Sequence, residues 1–163
     1  MTNLLRVSCA LALLLICSQT AFGFQNSDHG DLDAYWAELA RTVAEGDFEG
    51  YAATYHADAI LVSGIAGTSY PISQALDGWK QGFVDTAAGV IKASVEFRFS
   101  QRLSDATTAH ETGIFHYAAE DASGQGSEQF IHFEALLVKM EGWKMMMEYQ
   151  KAPATLEEWN AAK

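Results

Sequence analysis

The first part of the chain carries apolar residues at helical spacing, and the second part carries them at every other position. Over residues 31–45, Leu32, Tyr35, Trp36, Leu39, Ala40 and Val43 fall on one stripe, as in a helix that buries one face. Asp31 is placed to cap it, Asp33 suits its first turn, and Gly46 ends it. Asp47 opens a second short helix over 48–55, with Phe48, Tyr51, Ala52 and Tyr55 inward, and His56-Ala57-Asp58 is its exit turn. A short strand over 59–63 and a loop over 64–70 follow. Pro71 opens a third helix reaching about residue 88, since its missing N–H costs nothing at a helix start. Ile72, Ala75, Leu76, Trp79 and Phe83 form the inner face of that helix.

Beyond Gly89 the period becomes two. Ile91, Ala93, Val95, Phe97 and Phe99 alternate with Lys92, Glu96 and Arg98, which predicts a half-buried strand over 91–103. Further strands are predicted over 107–119, 130–138 and 143–149, and a terminal helix over 155–162. Glu141-Gly142 reads as a two-residue turn, which sets Val138 opposite Met145, Leu136 opposite Met147 and Glu134 opposite Tyr149. Extended across the 121–126 loop, this register puts His110, His116, His132, Glu134 and Tyr149 on one face. Glu111, Phe115, Phe133, Met146, Glu148 and Gln150 take the other. Helices grouped ahead of a meander imply an α+β fold: a cone-shaped curved sheet, antiparallel or mixed, covered by N-terminal helices, with a pocket at its mouth.

Composition changes this picture at the N-terminus. Arg6, the apolar run 7–17 and the small residues of Ala21-Phe22-Gly23 have the three parts of a secretory signal, so residues 1–23 are expected to be a leader and 24–163 a single domain, exported to the periplasm or outside the cell. A retained anchor is the alternative. Both cysteines, Cys9 and Cys17, fall in the leader, which leaves the domain without a thiol or disulfide. The whole chain carries a net charge of −11, and the leader holds one of its ten basic residues and none of its 21 acidic ones. This acidity argues against nucleic acid and anionic membrane surfaces as partners.

The run from Glu45 to Val62, EGDFEGYAATYHADAILV, resembles the "GD…a..Y..DA.l" segment of the nuclear-transport-factor-2-like superfamily, most closely its SnoaL-like branch. The stretch from Glu141 to Tyr149, EGWKMMMEY, is similar to that family's "dGrWkivhdh" strand. The resemblance implies a cone-shaped (cystatin-like) α+β barrel, usually a homodimer, whose pocket takes small apolar or polycyclic molecules. Steroid-isomerase relatives carry a carboxylate base where this chain has Ser63. The family's terminal-strand histidines correspond to Met147 and Tyr149. In scytalone-dehydratase-like members an acidic residue follows the first pocket tyrosine, where this chain has Trp36.

Three functions stay open on these residues. One is a ligand-binding domain without assured catalysis, its pocket lined by Tyr35, Tyr51, Tyr55, Trp79, Phe83, Phe133, Met147 and Glu148. Another is a lyase or isomerase working by general acid/base chemistry, with His132, His116, Tyr55 and Glu148 as catalytic candidates. A protein-interaction scaffold is a third reading, and would need a large apolar patch on the sheet. No cofactor is expected. The spacing of His110, His116 and His132 matches no metal-ligand motif, so no metal is expected either.

Overall fold

The computed structural model describes residues 29–162. The expected leader, with Cys9 and Cys17, lies outside the described residues. The element order is α1 (Gly30–Glu45), α2 (Phe48–Ala53), β1 (Tyr55–Ser63), β2 (Thr68–Pro71), α3 (Ile72–Ala87), β3 (Ile91–Ser104), β4 (Thr108–Asp121), β5 (Gly126–Lys139), β6 (Trp143–Pro153) and α4 (Leu156–Ala161). The strands form one six-stranded sheet in the order β2-β1-β6-β5-β4-β3. Neighbours are antiparallel except β1 and β6, which run parallel. This is the α+β class that the two hydrophobic periods imply, with α1, α2 and α3 over the inner face of the sheet.

The helical stripes are buried as the spacing requires. Leu32, Tyr35, Trp36, Leu39 and Val43 of α1 and Ile72, Ala75 and Phe83 of α3 are core residues. Trp36 stands over the sheet, its ring 4.5 Å from Phe97 and 5.7 Å from Phe133. Phe133 is 1 % exposed, and burying such a ring is worth roughly 2–3 kcal/mol. Gly46 ends α1 at φ 71°, and a Cβ there would strike the Phe83 carbonyl and the Ala87 amide of α3. Only glycine lets the α1–α2 turn lie this close to α3.

Several boundaries differ from the sequence reading, each for a local reason. α1 starts one residue earlier than expected. His29 holds the N-cap position without a side-chain cap, and Asp31, expected there, pairs with Lys139 instead. Asp47 does cap α2, accepting from the Gly50 amide at 2.9 Å. That helix stops at Ala53 because the Met145 amide donates to the Thr54 carbonyl at 2.9 Å, drawing Tyr55 into the sheet. His56-Ala57-Asp58 is therefore part of β1 and not a turn. The 64–70 loop contributes to β2, which pairs with β1.

Three irregularities in β3 and β6 curve the sheet and aim its side chains. Ser100 is an extra residue in β3, between the Phe99–Gly113 and Gln101–Thr112 pairs. Opposite it, a Cβ on Gly113 would collide with the Arg98 carbonyl, so the bend depends on that glycine. Met146 is an extra residue in β6, between the Leu137–Met145 and Leu136–Met147 pairs. Lys151 is a third, between the Phe133–Gln150 and His132–Ala152 pairs. The β5–β6 turn closes on Lys139 and Trp143, with three residues between them where two were expected. Val138 consequently faces Lys144 and not Met145, while the expected Leu136–Met147 and Glu134–Tyr149 pairs are restored beyond the Met146 bulge.

The outer face of the sheet carries α4. Trp159 is buried there, with the Arg98 guanidinium 4.1 Å from its ring and Phe130 and His116 beside it. Arg98 also donates to the Trp159 carbonyl at 2.6 Å.

Candidate functional site

The inner sheet face and the helices enclose a cavity of about 500 Å³. Its wall is largely aromatic. α1 supplies Trp36, the α2–β1 region supplies Tyr51 and Tyr55, α3 supplies Trp79 and Phe83, and the sheet supplies Phe97, Phe115, Tyr117 and Phe133. Ser63, Tyr70, Gln129 and Gln150 add neutral polar groups, and Glu148 is the one carboxylate that the described residues place in the wall. No lysine, arginine or histidine lines the cavity among the described residues.

Glu148 is the chemical centre of this wall. Paired with Ala135 on one side and Leu61 on the other, it sits in the middle of the sheet, and it is buried. The Tyr55 hydroxyl donates to Oε2 at 2.5 Å, and Gln150 Nε2 donates to Oε1 at 2.7 Å. The Tyr51 hydroxyl lies 3.1 Å from that of Tyr55. Tyr55 has a single proton, already directed at Glu148, so Tyr51 is the donor in this contact. The result is a relay running Tyr51 to Tyr55 to Glu148.

Burial raises the Glu148 carboxyl above the usual range, and the Gln150 and Tyr55 hydrogen bonds offset part of the rise. Burial likewise pushes up the phenols of Tyr51 and Tyr55, with the Glu148 charge adding to the effect, so both remain protonated donors. A carboxyl with a raised pKa and two neutral donors can accept a proton, or orient a polar or positive group brought in by a ligand.

The sequence candidates separate into two groups. Tyr51, Tyr55, Trp79, Phe83, Phe133 and Glu148 line the cavity as expected. Ser63 also reaches it. Tyr35 does not: its hydroxyl donates to the Thr54 carbonyl at 3.3 Å, and its ring packs edge-on against Trp36. Met147 is turned away, opposite the exposed Leu136, and the Met146 bulge puts Met145 in the wall in its place. The catalytic candidates His116 and His132 are both on the outer face. His116 stacks on Phe130 at 4.3 Å and meets Glu128, while His132 meets Glu158 of α4. His110 lies on that face too, beside Glu134.

Several wall residues escaped the sequence reading, among them Tyr117, Gln129 and Tyr70. Tyr117 and Gln129 had a signal available, since they share the alternation of Phe115 and Ile131. Tyr70 had none, because it sits in a stretch read as loop.

A second buried carboxylate lies on the same inner face but outside the cavity wall. Glu111 is fully buried and accepts from Trp36 Nε1 and Arg102 Nε. Arg102 also donates to Asp33 at 2.5 Å and rests over the Phe99 ring. The Ser100 bulge makes this possible by switching the parity of β3, so that Arg102 faces inward opposite Glu111. Among the described residues, no group of three or more His, Cys, Asp or Glu is arranged to hold a metal ion.

Solved structures with this architecture were found at low sequence identity. A conserved protein from Planctomyces limnophilus matches with a TM-score of 0.64 at 12% identity, over 78% of this chain and 98% of its own. A nuclear transport factor 2-like superfamily protein from Salmonella enterica matches with a TM-score of 0.60 at 11% identity, over 78% of this chain and 92% of its own. The chain has the nuclear-transport-factor-2-like fold. The β subunit of benzoate 1,2-dioxygenase from Burkholderia mallei is also similar, with a TM-score of 0.61 at 17% identity, over 75% of this chain and 88% of its own. No family model matches the sequence, and no curated protein does. This nuclear-transport-factor-2-like fold occurs in an enzyme subunit and in proteins of unknown function alike, so the site must carry the functional argument.

Proposed function

We propose that this chain is a small-molecule-binding domain of the SnoaL-like kind, whose ligand occupies the aromatic cavity and is oriented by Glu148, Tyr55 and Gln150. The observation that carries this reading is a buried carboxylate facing a cavity of about 500 Å³ with only neutral partners. A cavity of this size suits a drug-sized or polycyclic molecule, and polar groups concentrated at one spot in an aromatic wall fix orientation. The decisive experiment is native mass spectrometry of residues 24–163 beside a cavity-filling Ala93→Trp variant. The expected result is a small-molecule mass, or a saturable apolar fluorophore, that the wild type retains and the filled variant loses. Equal retention by both proteins would overturn the reading.

Catalysis is a second reading, favoured by the Tyr51–Tyr55–Glu148 relay. With no histidine among the described wall residues, any general acid/base chemistry would fall to Glu148, with Tyr55 as the orienting donor. Turnover that disappears in Glu148→Gln and Tyr55→Phe but survives in His116→Ala and His132→Ala would support it.

Export and dimerisation belong to the same proposal. Export rests on the leader-like residues 1–23. Dimerisation through the outer sheet face rests on a ladder of aligned residues, Ile60–Met147–Leu136–His110–Leu103, that crosses five strands. Ile60, Leu136 and Leu103 in it are exposed. Such a patch is what a partner copy would cover.

A further inference from the structure

The electrostatics of the cavity go further than its size. Among the described residues, the one formal charge that its wall can offer a ligand is negative. Glu148 is the sole carboxylic acid of the described wall residues, and no basic side chain among them reaches the wall to neutralise it. The hydrogen bonds it receives come from a phenol and an amide, both neutral. Next to it the rings are clustered: Tyr51 is 5.5 Å from Tyr55, 4.8 Å from Phe83 and 6.1 Å from Trp79. Aromatic faces carry partial negative charge and attract cations, most strongly when the cation is desolvated.

The placement of Glu148 is otherwise hard to explain. Burying a carboxylate without a counter-ion is destabilising, and this fold shows its own remedy at Glu111, where Arg102 is brought in to pair. At Glu148 no such partner is present among the wall residues. A ligand carrying positive charge would complete the site. The net charge of −11 would also favour the approach of a cation and disfavour that of an anion.

We infer that the cavity is built for an organic monocation, an amine or quaternary ammonium with an apolar body, whose charged nitrogen sits beside the Glu148 carboxylate while its apolar part lies among Tyr51, Trp79 and Phe83. This inference rests on the ligand-binding reading above, and it commits that reading to one chemical class. Tertiary and quaternary ammonium groups suit the site better than an alkali ion, because aromatic faces and one carboxylate cannot replace a full hydration shell.

The test compares two probes of the same shape, benzyltrimethylammonium and its neutral carbon isostere neopentylbenzene. Binding is read by the fluorescence of Trp36 and Trp79, which line the cavity, on wild-type protein and on Glu148→Gln. The expected result is that wild type binds the cation at least about tenfold more tightly than the isostere, as a desolvated cation–π site with a carboxylate should. Glu148→Gln should erase most of that ratio by weakening the cation alone. If the isostere binds as tightly as the cation, or the ratio survives in Glu148→Gln, the inference is wrong and the ligand-binding reading stands. If neither probe binds and native mass spectrometry finds no retained molecule, the ligand-binding reading itself fails. Should Glu148→Gln not fold by circular dichroism, the wild-type ratio alone decides.

Discussion

Glu111 and Glu148 are two carboxylates buried on the same sheet face, and the fold treats them in opposite ways. Glu111 is given a cation, Arg102, and an indole donor, Trp36, and is sealed under α1. Glu148 receives only a phenol and an amide, and it faces a cavity. A buried charge that the protein neutralises by itself is a structural element. One left without a counter-ion at a cavity wall is where the proposed ligand would supply the missing partner. Both positions depend on bulges. Ser100 turns Arg102 inward, and Met146 brings both Met145 and Glu148 to the inner face.

The sharpest break of this comparison is to make Glu111 resemble Glu148. Arg102→Met removes the cation and leaves a fully buried carboxylate with the indole alone. We expect a loss of about 3–5 kcal/mol in chemical denaturation, and partial recovery in the double variant Arg102→Met/Glu111→Leu. A loss below about 1 kcal/mol in the single variant would mean that the pair is not structural. Next in size is Tyr55→Phe, which deletes the phenol that donates to Glu148. It should cost about 1.5–3 kcal/mol when the carboxyl is ionised, with little cost at low pH, and it should weaken cavity binding more than it weakens the fold.

Glu148→Gln is smaller in stability and more informative in pH. The folded-state pKa of Glu148 lies above its unfolded value, near 4.5. The native protein therefore holds the proton more tightly than the unfolded chain. The contribution of this group is at its most favourable below pH 4.5 and is lost as pH rises through the raised folded-state value. The glutamine variant removes that slope. Melting curves should show Glu148→Gln gaining on wild type as pH climbs from acid toward neutral, by about 1 kcal/mol or more. Parallel curves for the two proteins would show that the carboxyl feels no burial.

How legible all this was in sequence follows from the same bulges. Period is enough for the α+β class and the helix faces, and period together with the register set by the turns separates Glu111, Phe115, Phe133, Glu148 and Gln150 from the three strand histidines. Period could not reveal an extra residue. An unbroken alternation groups Met146 with Glu148, and the sequence reading names Met147 for the pocket, whereas Met145 is the one in the wall. The Glu111–Arg102 pair was invisible for the same reason, since strict alternation puts residue 102 on the face opposite Phe97 and Phe99. Tyr35 misled for a different reason. Its place on the helix stripe is right, but the end of α2 presents the Thr54 carbonyl that takes its hydroxyl.

The smallest effect belongs to the outer-face histidines, and it separates the two faces of the sheet. His132 meets Glu158 at 3.3 Å and His116 meets Glu128 at 3.1 Å, with both acids exposed and the rings on the side away from the cavity. Exposed pairs of this kind are screened by water and salt. His132→Ala should therefore leave the melting temperature nearly unchanged and cavity affinity unaltered, and its trace should be faster amide exchange in α4, which loses one tether while keeping Trp159 buried and Arg98 on its carbonyl. His116→Ala should loosen α4 more than His132→Ala, because it also removes a ring that stacks on Phe130 and touches Trp159. If either substitution abolished binding in the cavity, the two faces would be coupled through the sheet, and the contrast between a cavity-bearing inner face and an outer face of solvent-screened pairs would fall.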